Sequence, residues 1–125
     1  MLELGSFGEE LNLLLTQGAD FGPITFTVKN PDGSPVDYTG CTVRGQARTR
    51  FGKHIFTVPV LMPNPELGVY SFSIPSNLSS KLPAGLDLES PDSLHIWDLE
   101  LEDSSGAITP LYYGSIRVRR KVTKS

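Results

Sequence analysis

Hydrophobic and polar residues alternate with a period of two along most of this chain. In residues 24–29, Ile24, Phe26 and Val28 share one side, and Thr25, Thr27 and Lys29 the other. Residues 41–50 set Cys41, Val43, Gly45 and Ala47 against Thr42, Arg44, Gln46 and Arg48. Residues 69–74 repeat the pattern with Tyr70, Phe72 and Ile74. Residues 94–101 show it most clearly: Leu94, Ile96, Asp98 and Glu100 on one face, His95, Trp97, Leu99 and Leu101 on the other. A period of two in segments rich in β-branched and aromatic residues is the pattern of half-buried strands. The small residues Gly45 and Ala47 suggest that another sheet comes close there.

Turn signals separate these runs. Asn30-Pro31-Asp32-Gly33 combines a preset φ, a local side-chain acceptor and a residue tolerant of positive φ. Further turns are expected at Phe51-Gly52-Lys53, at Asn64-Pro65-Glu66-Leu67-Gly68 and at the hairpin Asp103-Ser104-Ser105-Gly106. Strands are predicted at 11–16, 23–30, 41–50, 55–60, 68–74, 94–102, 107–113 and 115–120, with Pro59 at an edge or a bulge. Residues 76–82 make the one plausible helical turn, with Leu78 and Leu82 at i, i+4 before Pro83-Ala84-Gly85 stops it. The fold class this predicts is all-β: an antiparallel β-sandwich of seven to eight strands. It is Ig-like in architecture only, because the Cys…Trp…Cys core of an antibody domain is missing. Residues 1–10 are read as an N-terminal arm and 11–125 as a single domain, with Trp97, Phe26, Phe72, Val43, Leu99, Ile116 and Val118 as its core.

The composition narrows the chemistry. The chain of 125 residues is long enough to bury a core without metals or disulfides. A single cysteine, Cys41, excludes an intrachain disulfide, and two histidines, His54 and His95, make a His-only metal site improbable on arithmetic alone. The formal net charge of −3 argues against a dedicated nucleic-acid binder. The first residues lack the basic n-region and apolar run of a secretory signal, and no apolar stretch approaches the roughly 18 residues of a spanning helix. Neither a nucleic acid nor a membrane is therefore an expected partner.

Candidate chemistry is sparse. Asp98, Glu100 and Glu102 alternate on one strand face, which permits acid–base work or, with Asp103, calcium binding, but equally a plain solvent face. His54 sits at a predicted hairpin, and His95 shares the predicted core face with Trp97. No nucleophile elbow and no phosphate-binding glycine loop is present. No catalytic residue, cofactor-binding residue or metal ligand is assigned, and an enzyme is not expected.

Charge is unevenly placed. Asp87, Glu89, Asp92, Asp98, Glu100, Glu102 and Asp103 follow one another without an intervening base, whereas Arg117, Arg119, Arg120, Lys121 and Lys124 close the chain without an acid. These are either two solvated stretches or an electrostatic tie, within one copy or between copies. The arm's Leu2, Leu4 and Phe7 lack the neighbours to form a core of their own. Together with Arg117, Arg119, Arg120 and Lys121 they are the candidate partner-binding residues. The arm would add a strand to an exposed edge of another chain, and the basic end would face acid on a neighbour.

The order of turns carries a resemblance. The chain reads Thr16-Gln17-Gly18, then Asp32-Gly33-Ser34-Pro35-Val36-Asp37-Tyr38-Thr39-Gly40, then Leu82-Pro83-Ala84-Gly85, then Trp97-Asp98-Leu99-Glu100-Leu101, and finally Gly114-Ser115-Ile116-Arg117-Val118 and Val122-Thr123. It resembles a family of small β-sandwich virion proteins of tailed bacteriophages that includes the N-terminal module of baseplate upper proteins. The likeness covers roughly residues 11–123. Two departures are Tyr38, where the family has Leu, and the acidic residues 86–94, which lengthen a loop the family keeps short. Gly114 is expected to mark a bulge or bend. The resemblance implies a structural virion subunit without catalysis or cofactor, assembled in the bacterial host cytoplasm in multiple copies against other phage structural proteins. A tail, baseplate or neck adaptor anchoring a fibre, spike or receptor-binding protein is the first expectation. A capsid decoration protein, or a host-surface carbohydrate-binding module using Tyr70, Tyr112 or Tyr113, are the alternatives.

Overall fold

The computed structural model describes residues 8–85 and 87–122. They form an all-β sandwich of nine strands in two sheets. The strands are β1 (Glu9–Glu10), β2 (Leu13–Thr16), β3 (Phe21–Thr27), β4 (Thr42–Thr49), β5 (His54–Thr57), β6 (Val60–Leu61), β7 (Val69–Ile74), β8 (Leu94–Glu102) and β9 (Ile108–Arg119). The larger sheet runs β1-β9-β8-β4-β5, with β2 also on β9, and the smaller runs β3-β7-β6. Single turns complete the chain: a helical one, α1 (Ser76–Ser79), and 3-10 turns at Pro65–Leu67 and Pro91–Ser93.

The alternating patterns became strands at the expected places, with two differences of continuity. Residues 55–60 split into β5 and β6 because the chain changes sheets at Val58-Pro59. The Val58 amide still donates to Gly45 of the larger sheet, while the Pro59 carbonyl accepts from Ser73 of the smaller. A corner strand of this kind closes the end of a sandwich. Conversely, the two strands expected around Gly114 are one strand, β9. Gly114 is neither bulge nor bend: it pairs with Trp97 in regular register. The bulge lies at Leu111, the extra residue between the Leu99–Tyr112 and Glu100–Pro110 pairs. What requires glycine at 114 is an approach from outside. A Cβ there would lie 2.2 Å from the Leu11 carbonyl oxygen.

Leu11 and Asn12 cross at that point, and the first strands then run parallel to the last. Glu9 and Glu10 register with Tyr112 and Tyr113, and Leu13–Thr16 with Ile116–Arg119. The Asn12 carboxamide oxygen accepts from the Ser115 amide at 2.9 Å, and the Trp97 indole N–H donates to the Leu11 carbonyl at 2.8 Å. Of the expected arm, Glu9 and Glu10 therefore belong to the sheet, while Leu2, Leu4 and Phe7 lie outside the described residues.

The core fills the space between the sheets. Trp97, Leu99, Ile116 and Val118 of the larger sheet meet Tyr70, Phe72 and Ile74 of the smaller, all buried. The Trp97 and Phe72 rings stand 5.1 Å apart. Phe26 was expected in the core and is only half-buried, because β3 is an edge of the three-stranded sheet. It is covered from one side by Tyr112, stacked at 4.6 Å.

Distant loops are joined by side-chain hydrogen bonds to backbone, which satisfy groups that a turn leaves open. Gln17 donates to the Leu82 carbonyl at 3.0 Å, Ser79 to the Ala19 carbonyl at 2.7 Å, and the Asp20 carboxylate accepts the Ser76 amide at 2.7 Å. The buried His95 donates through Nε2 to the Pro83 carbonyl at 2.7 Å.

Truncating Trp97 removes both a core filler and a hydrogen-bond donor. Trp97→Ala is expected to cost about 3–5 kcal/mol in urea unfolding, as for other large buried aromatics. Trp97→Phe should cost less, by keeping the ring and losing the donor. A Trp97→Ala cost under about 1 kcal/mol would contradict this account of the core.

Candidate functional site

Pairing register determines what the outer face of the larger sheet displays. One row across the strands reads Asn12, Ser115, Ile96, Arg48 and His54. The next reads Glu10, Tyr113, Asp98, Gln46 and Thr57. A third contains Pro110, Glu100 and Arg44. Side chains in one row stand about 5 Å apart, so these rows form a continuous surface.

Two adjoining depressions mark that surface. The larger, about 670 Å³, is lined by Glu10, Asn12, Gln46, Arg48, Leu94, Ile96, Trp97, Asp98, Tyr113, Gly114 and Ser115. The smaller, about 450 Å³, is polar and lies between Arg44, Gln46, Arg48, Thr57, Asp98 and Glu100. Gln46, Arg48 and Asp98 belong to both. The larger is thus a trough with an aliphatic and an aromatic residue in its middle, Ile96 and Tyr113, and amide, carboxylate and guanidinium groups around them.

The polar groups are held in place. Arg48 donates to the Gly52 carbonyl at 2.8 Å and to Gln46 Oε1. Asn12 accepts from both Ser115 donors through one oxygen and donates to Glu10 at 3.3 Å. Loss of hydration beneath neighbouring side chains pushes the Asp98 carboxyl above its ordinary value. The Glu100 charge adds to this, while a hydrogen bond from the Gln46 backbone and the Arg48 charge offset it.

The carboxylate row suggested by sequence is separated by this arrangement. Arg44 pairs with Glu100 at 2.9 Å and Glu102 at 3.1 Å, so two of the three acids share one cation. That leaves Asp98 in the trough. No group of three or more potential metal ligands occurs among the described residues. No helix of the described chain is long and apolar enough to cross a membrane.

The basic end lies at the far end of the same face. Arg117 and Arg119 point outward from β9, next to Leu14 and Thr16. The Arg117 guanidinium is engaged within its own chain and donates to the Leu88 carbonyl at 2.6 Å. The acidic loop that contains Leu88 is tied down as well. Ser93, fully buried, donates to the Asp87 carbonyl at 2.7 Å and accepts the Gly85 amide at 2.8 Å. Acidic loop and basic strand therefore meet within one copy, at the Leu88 backbone carbonyl. Arg119, Arg120 and Lys121 are exposed. Of the three tyrosines weighed, Tyr70 is core, Tyr112 is half-buried, and Tyr113 reaches the trough.

Sequence reasoning found the outward faces of β4 and β8 separately but not the trough. Its residues come from four strands, β1, β4, β8 and β9, and the chain crossing at Asn12, and only the register between strands brings them together. No protein-family model matches the chain, and a search of curated proteins finds no relative.

The carboxylates predict a pH dependence of two signs. Asp98 has its folded value raised, so its contribution is lost as pH rises through that value, and ionisation at neutral pH disfavours the fold. Asp32, Asp37 and Asp103 are held low by hydrogen bonds from the side chains and amides of Ser34, Thr39 and Ser105. Their contribution is present above the ordinary carboxylate value and lost as pH falls through the lowered values. Asp98→Asn should therefore match or exceed the parent in urea midpoint at pH 7 and lose that advantage near pH 3. Asp37→Asn keeps the acceptor and should flatten the acid limb. An Asp98→Asn chain clearly weaker than the parent at pH 7 would refute the desolvation argument.

Proposed function

We propose that this protein is a structural subunit of a tailed bacteriophage particle, an adaptor in the tail, baseplate or neck that anchors a fibre, spike or receptor-binding protein, and that it works without catalysis or cofactor. The observation that carries this reading is where the motif residues of the resemblance stand. Several of them make the joints of the sandwich. Gln17 of Thr16-Gln17-Gly18 donates to Leu82 of Leu82-Pro83-Ala84-Gly85. Asp37 accepts both Thr39 donors at the corner before β4. Gly114 admits the crossing of Leu11. Joints are what proteins sharing a fold have reason to share, since a turn or crossing tolerates few alternatives while a strand surface tolerates many.

The assembly reading has its own support. β1 is the outermost strand of the larger sheet and pairs with β9, and the arm proposed to add a strand to a neighbour precedes it in the chain. The exposed Arg119, Arg120 and Lys121 stand ready for an acidic neighbour, and repetition around a symmetric particle would multiply such contacts.

Mass spectrometry and cryo-EM of purified particles from an infected host test the assignment. The chain should be present in several stoichiometric copies at a fixed position. Absence from particles that carry complete tails would refute it. Removing residues 1–7 should leave the domain folded, judged by its urea midpoint, and impair its incorporation into particles. Normal incorporation of the shortened chain would exclude the arm as the attachment element.

A further inference from the structure

The trough on the outer face of the larger sheet has the composition of a binding site for a polyhydroxylated ligand, and we propose that it binds a neutral oligosaccharide. The inference rests on this geometry and is independent of the virion assignment. A sugar ring offers two kinds of surface: hydroxyls that donate and accept at once, and an apolar C–H face. The trough supplies both counterparts. Tyr113 and Ile96, each about two-fifths exposed, present an aromatic and an aliphatic surface side by side in the middle. Around them stand planar groups that can bridge vicinal hydroxyls: the Gln46 and Asn12 amides, the Asp98 carboxylate and the Arg48 guanidinium.

Three features separate this ligand class from others. The first is charge. The lining carries one base, Arg48, against two acids, Asp98 and Glu10, and so offers no attractive field for a nucleic acid or another polyanion. The second is polarity: a strictly apolar ligand would strand the amides and carboxylates, which cost free energy when covered unpaired. The third is preorganisation. Arg48 is fixed by Gly52 and Gln46, and Asn12 by Ser115 and Glu10, so binding need not immobilise long side chains. All sit on or beside strands of one rigid sheet. At about 4.8 Å per strand the trough spans β4 to β1 in roughly 14 Å, the length of two to three sugar units, and its volume of about 670 Å³ is in the usual range for small-ligand sites.

The test uses the full chain on a printed array of neutral di- to tetrasaccharides alongside sialylated and sulfated glycans. The tightest neutral glycan is then titrated into isotopically labelled protein and followed by NMR. Binding should shift the amides of residues 46, 48, 96, 98 and 113. Tyr113→Ala and Asp98→Asn should each weaken it about tenfold or more, while Leu61→Ser on the exposed edge of the smaller sheet should not change it. Amide spectra of the variants away from the trough report whether each is folded, and Asp98→Asn carries the test if Tyr113→Ala is not. No neutral glycan bound at about millimolar concentration would overturn the proposal. So would binding confined to acidic glycans, or binding unmoved by both trough variants. Trough amides that respond to protein concentration instead of sugar, with dimers in sedimentation, would identify the face as an interface between copies and equally overturn it.

Discussion

The crossing of Leu11 and Asn12 over Gly114 is the constraint on which most of this structure depends. A side chain at 114 would collide with the Leu11 carbonyl. With glycine there, that carbonyl comes down to the Trp97 indole and Asn12 reaches Ser115. The hydrogen bond fixes Trp97, whose ring in turn spans the gap to Phe72 on the opposite sheet. The same crossing aligns β2 with the end of β9 and brings Leu13 and Leu15 into the core. It also places Asn12 and Glu10 on the rim of the trough. One close approach between backbones thus sets a core contact, a sheet edge and one wall of the outer surface.

The two faces of the larger sheet have been given different work. Its inner face is apolar apart from His95 and packs against the smaller sheet. Its outer face is mixed. Toward the hairpin, Arg44 is shared between Glu100 and Glu102, a surface arrangement worth little in stability. In the middle, Asp98 is flanked by Arg48, Gln46, Ile96 and Tyr113. At the far end, Arg117 is committed to the acidic loop. That loop is a built feature: buried Ser93 and Arg117 both hold it through backbone atoms.

Much of the fold was legible in the sequence because its strands are half-buried. In residues 94–101 the inward positions hold His95, Trp97, Leu99 and Leu101 while Asp98 and Glu100 face outward, and no other period fits. The turns were legible for a similar reason, since Asp32, Asp37 and Asp103 each stand two residues before a hydroxyl side chain and accept from it. What escaped was whatever depends on two segments at once. Gly114 reads locally as a break, but its cause is a carbonyl a hundred residues earlier. Phe26 reads as core by alternation, but the number of strands in its sheet decides how well it is covered. The trough escaped for the same reason: Gln46, Asp98 and Tyr113 are three unremarkable outward residues until register aligns them in one row. The placement of β1 and β2 parallel to β9, where the other strand pairs are antiparallel, has no local signal at all.

That parallel pair has a mechanical consequence. β2 enters the sheet from one end of the domain and β9 leaves it at the other, with Leu13–Thr16 in register against Ile116–Arg119. A pull on the two chain ends therefore acts along the strands and loads their hydrogen bonds together, in shear, instead of opening them one after another like a zip. Resistance to force then depends on the rate of crossing a single cooperative barrier, and not on the equilibrium stability that denaturant reports.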